Sequence, residues 1–87
     1  MHIVAKPIEI IVWFRDEDHP RPVRFRLQDR DGAWTPVRVD RIIEVLSQKK
    51  AGTDSLIYRC QSEIRGKQTR YELQYLILES RWVLYKI

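Results

Sequence analysis

A chain of 87 residues with 44% hydrophobic and 32% charged side chains has material for one core, which excludes disorder and a second domain. Its 16 basic and 12 acidic residues leave a net charge of +4, a balance that suits an anionic partner without demanding one. The lone Cys60 excludes an internal disulfide and no apolar run approaches the ~18 residues of a membrane-spanning helix, so a cytoplasmic protein without a membrane partner is expected.

Residues 1–7 lack the layout of a signal peptide and are expected to be a flexible N-terminus to the single domain 1–87. Residues 8–14 are apolar enough for a first strand. The loop from Arg15 to Pro22 ends it, because charge and proline do not continue a ladder. Residues 23–28 alternate strictly, with Val23, Phe25 and Leu27 on one face and Arg24 and Arg26 on the other. Asp31-Gly32 signals a hairpin, after which the chain returns antiparallel from Trp34 with Val37 and Val39 inward and Arg38 outward. Residues 40–46 read as a strand with a β-bulge near Arg41, or as a short helix capped by Asp40.

Residues 47–55 are expected as a polar loop containing Gly52. The strand over residues 56–64 places Leu56, Tyr58, Cys60 and Ile64 on one face and Arg59, Gln61 and Glu63 on the other. Gly66 offers positive φ to the next turn, Tyr71, Leu73, Tyr75 and Ile77 line the returning strand, and Glu79-Ser80 leads into a last strand carrying Trp82 and Leu84.

The pattern predicts an all-β fold of about six strands in an antiparallel meander. Residues 10–14 and 75–78 are apolar on both faces. The sheet should therefore curl into a small barrel or bend strongly, or a partner should cover its second face.

Eleven arginines stand against five lysines, and arginine suits bidentate contacts to phosphate or carboxylate. Arg24, Arg26 and Arg38 fall on the outward face of one hairpin with Trp34 beside its turn, a pattern of base and aromatic that suits nucleic acid or an acidic partner. Trp13, Leu76 and Leu78 are the apolar residues expected to form an interface, through which a homodimer would pair. No catalytic constellation, cofactor motif or metal-ligand spacing is expected: Cys60 points inward, His19 has only Asp16 and Asp18 near it in a charged loop, and no phosphate loop or nucleophile elbow occurs.

Leu56-Ile57-Tyr58-Arg59-Cys60, Tyr71-Glu72-Leu73-Gln74-Tyr75 and Arg81-Trp82-Val83-Leu84-Tyr85 follow one another, preceded by Arg21-Pro22-Val23-Arg24-Phe25-Arg26. Over residues 20–87 this series resembles an uncharacterised family of small bacterial β-domains. Domains related to that family stand at the C-terminus of some inactive Y-family polymerase-like proteins of mutagenic repair. The resemblance implies an accessory binding domain in bacterial DNA metabolism, with protein or nucleic acid as its partner, and no enzyme. The tryptophan pair common in the middle of that family is replaced here by residues 47–55.

Overall fold

The computed structural model describes residues 1–15 and 19–87. Asp16, Glu17 and Asp18 of the expected charged loop lie outside the described residues. Among the described residues eight strands form: β1 (Ile3–Pro7), β2 (Glu9–Trp13), β3 (Arg21–Gln28), β4 (Trp34–Arg38), β5 (Arg41–Lys50), β6 (Thr53–Ile64), β7 (Lys67–Leu76) and β8 (Arg81–Lys86). All pairings are antiparallel. Among the described residues no helix is long and apolar enough to cross a membrane.

The all-β class is as expected, but the architecture differs. The strands divide between a five-stranded sheet, β1-β8-β7-β6-β5, and a three-stranded sheet, β2-β3-β4. Neither sheet closes into a barrel. The chain changes sheet twice, and each change has a local cause. Pro7 ends β1, where its missing N–H suits the end of a ladder. The second change follows Val39, where the backbone N–H of Asp40 donates to Ser62 Oγ at 3.1 Å and Asp40 Oδ2 accepts from the N–H of Glu63 at 2.8 Å. Asp40 is thus a pin between sheets and not a helix cap, and the ambiguous stretch is strand.

Two further expectations are corrected. Residues 3–7, expected to be flexible, pair with β8. The polar loop over residues 47–55 is a continuous hairpin: Lys50 pairs with Thr53, and only Ala51 (φ 53°) and Gly52 (φ 81°) turn the chain. Two consecutive positive φ angles make the tight primed turn whose twist matches the flanking strands. Arg65 and Gly66 repeat this solution between β6 and β7. The bulge expected near Arg41 is present, between Ile42 and Glu44, so Ile42 and Val45 both reach the inner face.

The core lies between the sheets. Phe25 and Val37 from the small sheet meet Leu56, Tyr58, Cys60, Tyr71, Leu73, Trp82 and Leu84 from the large one. Aromatic rings order this layer: Phe25 meets Tyr71 edge-on at 5.5 Å, and Trp82 lies 5.0 Å from Tyr58 and 4.8 Å from Tyr75. Arg65, at the β6–β7 turn, donates to Thr35 Oγ1 at 3.0 Å and clasps the small sheet from below.

The strict alternation read across residues 23–28 fails at its first residue. Ile11 pairs with Arg24 but Val12 pairs with Pro22, leaving Val23 bulged and exposed while Pro22 is buried. A proline cannot donate to the ladder, and a bulge is where a strand tolerates it.

Candidate nucleic-acid interface

The outward face of the small sheet is built by three strands whose other faces supply core. On β2, Ile10 and Val12 face in, so Ile11 and Trp13 must face out. On β3, inward Phe25 forces Arg24 and Arg26 outward. On β4, inward Val37 does the same for Pro36 and Arg38. The register then sets the neighbours: Arg24 stands directly opposite Arg38 on one side and Ile11 on the other, and Arg26 stands between Glu9 and Pro36.

Arg26 is held. Its Nε donates to Glu9 Oε2 at 2.7 Å and its guanidinium lies 4.5 Å from the centre of the Trp34 ring. Among the described residues Arg38 reaches only Asp40 Oδ1, at 3.8 Å, and its side chain is 82% exposed. Arg24 makes no ion pair among the described residues. Two like charges in directly opposed cross-strand positions repel, so this pair costs stability as it stands.

Sequence reasoning placed Arg24, Arg26, Arg38 and Trp34 together, and the fold gathers all four on this one face. Trp13 is also here, paired with Arg21 and 54% exposed. It does not join Leu76 and Leu78, the other two residues of the expected interface. Those belong to the large sheet, Leu76 half-buried at the end of β7 and Leu78 exposed in the turn that follows. Residues 10–14 are likewise apolar on both faces without being covered: Ile11 is 59% exposed and Phe14 is exposed too.

Several residues of this region were not legible in the sequence. Arg21 belongs to the stretch expected as loop, and only the bulge at Val23 brings it out beside Trp13. Arg15 lies 4.8 Å over the Trp13 ring. Arg41 and Asp40, far along the chain, meet Trp13, Arg15 and Arg21 around an open cleft of about 510 Å³ at the end of the sandwich. No periodicity signals such a meeting, since it depends on the change of sheet at Asp40.

The inward titratable groups are protected. Burial pushes the Cys60 thiol up from 9.0 to about 12, so it is protonated and inert at neutral pH. Burial also raises Tyr58, whose hydroxyl donates to the Pro20 carbonyl, and Tyr71, whose hydroxyl shares a 2.6 Å hydrogen bond with Ser62.

Comparison with models of protein families, with curated proteins and with solved structures returned no match. What the chain does has therefore to be read from its own residues.

Proposed function

We propose that this protein is a non-catalytic binding domain that contacts nucleic acid through the outward face of its three-stranded sheet. One observation carries the reading: Arg24 stands directly opposite Arg38, on a face that also exposes Trp13 and Trp34. Opposed arginines become favourable when phosphate lies between them, and exposed indoles offer stacking to bases. The cytoplasmic setting in bacterial DNA metabolism belongs to the same proposal and rests on the resemblance of residues 20–87.

The test is a titration of labelled oligonucleotide across salt concentrations. Affinity should fall with a log–log slope of about 0.7 per phosphate contacted on a single strand, or about 0.9 on a duplex. The triple variant Arg24→Ala, Arg26→Ala, Arg38→Ala should flatten that slope. Binding indifferent to salt, or none at about 50 mM salt, rejects the proposal.

A second reading has its own observation. β2 is an edge strand whose Ile11, Trp13 and the following Phe14 are exposed, and a second copy could pair along it across a two-fold axis. Light scattering then gives twice the 10.5 kDa chain mass, and Trp13→Asp restores monomer. A monomer at every concentration removes this reading and leaves the first untouched.

A further inference from the structure

The basic face does not stop at Trp13. This residue ends β2, and it also forms a wall of the cleft of about 510 Å³ where the two sheets part. Arg21 and Arg41 line the same cleft, with Val45 and Tyr58 behind them. Its one carboxylate among the described lining residues is Asp40, already an acceptor for the Glu63 N–H. Arg15 lies over the Trp13 ring at 4.8 Å, which leaves Arg21 and Arg41 as the anion contacts of the cleft.

We propose that face and cleft form one continuous track for single-stranded nucleic acid, with Trp34 and Trp13 as stacking platforms and Arg24, Arg38, Arg21 and Arg41 as phosphate contacts. This rests on the nucleic-acid reading above and names the form of nucleic acid it implies.

Three geometric arguments favour a single strand. An indole can stack only on a base freed from its partner, and each of the two indoles already carries a guanidinium over its ring, at 4.5 Å and 4.8 Å, which extends the stacking surface. All the contact residues except Arg41 lie on three neighbouring strands. Those strands span about 10 Å between their outer axes before side chains are added, while a major groove about 12 Å wide admits a helix or a two-stranded ribbon. The platforms are also far apart. Trp13 is opposite Arg21 and Trp34 opposite Gln28, the two ends of β3. That is roughly 20 Å along the strand and roughly 10 Å across it, a diagonal of roughly 22 Å. At about 3.4 Å per stacked nucleotide the two indoles are about six nucleotides apart, and fewer if the strand is extended. Such a footprint lies at the small end of the range for sheet-based single-strand binders, roughly 4–16 nucleotides.

The experiment is a titration of the intrinsic tryptophan fluorescence of the full chain with oligothymidylates of about three, six and ten nucleotides, and with a ten-pair duplex. Affinity should rise from three to six nucleotides and then level off, with the duplex at least ten-fold weaker than the ten-mer. Trp13→Ala should weaken the six-mer about ten-fold, with Trp13→Tyr restoring most of the loss. Arg41→Glu, in the cleft and off the face, should weaken the ten-mer and lower its salt slope by about 0.7 or more while sparing the three-mer. Both residues are exposed, so a urea transition like that of the parent protein identifies variants that fold. Duplex binding as tight as single-strand binding overturns this proposal and leaves the nucleic-acid reading standing. Full affinity for the three-mer, or an Arg41→Glu variant that binds the ten-mer as the parent does, overturns the continuous track. Absence of binding to every form at low salt removes both.

Discussion

The two sheets present outward faces that differ in how they treat their charges. On the five-stranded sheet, Arg59 donates to Glu44 at 2.7 Å and lies 3.3 Å from Glu72, Arg70 donates to Gln61, and Gln74 donates to Ser55. Opposed charges there are of opposite sign, as between Arg59 and its two cross-strand partners Glu44 and Glu72. On the three-stranded sheet the central cross-strand pair is Arg24 with Arg38. Arginine settles into a network across three strands on one side of the molecule, whereas on the other Arg26 pairs with Glu9 but Arg24 stands against Arg38. The opposed like charges and exposed indoles of this surface are what the proposed nucleic-acid contact rests on.

The largest effect should come from breaking the satisfied face. Glu72 has a side chain only 5% exposed, and Arg59 is its cation. Arg59→Ala leaves a carboxylate buried without its counter-ion and should cost about 3 kcal/mol in urea unfolding, with Arg59→Lys restoring part of it. A cost below about 0.5 kcal/mol would mean that this face is no more self-sufficient than the other.

The interior between the faces answers to pH. Cys60 stays protonated in the fold to about 12 but ionises near 9.0 once unfolded. A group whose folded value is raised contributes stability that is whole below the unfolded value and is lost as pH climbs toward the folded one. Urea midpoints should therefore be flat to about pH 8 and then fall, by about 1.4 kcal/mol per pH unit for Cys60 above pH 9. Tyr58 and Tyr71, raised from 10.0, add to the decline above pH 10. Cys60→Ala should postpone the onset by about one pH unit. An unchanged onset assigns the loss to the tyrosines alone.

Tyr58→Phe is a smaller and more local cut. It removes the hydroxyl that donates to the buried Pro20 carbonyl and should cost about 1–2 kcal/mol. Pro20 leads directly into Arg21, so the same variant should weaken nucleic-acid binding while leaving the Arg59 network intact. Equal loss at both faces would show that the chain before β3 is not specifically anchored by Tyr58.

The class of the fold was legible because period-two alternation is set by the pleat, and the inward series Tyr58-Cys60 and Tyr71-Leu73-Tyr75 had only one phase open to it. The Arg24, Arg26 and Arg38 face was legible for the same reason, since Phe25 and Val37 fix what faces out. The division into two sheets was not. It depends on Asp40 reaching Ser62 and Glu63 more than twenty residues away, a contact that no local pattern announces. The bulges at Val23 and between Ile42 and Glu44 each shift a strand's phase by one residue from there on, and that is how Pro22 came to be buried and Arg21 exposed. The cleft inherits both difficulties, because it joins the bulged start of β3 to the start of β5 across the sheet boundary.

The smallest expected effect separates the two faces most cleanly, because its sign is reversed. Arg24→Glu turns the repulsion with Arg38 into an attraction between directly opposed residues, which is worth about 0.2–1 kcal/mol in an antiparallel pair. The variant should therefore be slightly more stable than the parent, by a few tenths of a kcal/mol in urea, and lose nucleic-acid affinity at the same time. Arg59→Glu on the other sheet places a third carboxylate between Glu44 and Glu72 and can only destabilise. A structural role for Arg24 predicts that stability and binding fall together. A gain in one with a loss in the other is the behaviour of a residue held in place by its ligand, and high salt should shrink both changes, since both come from exposed charges.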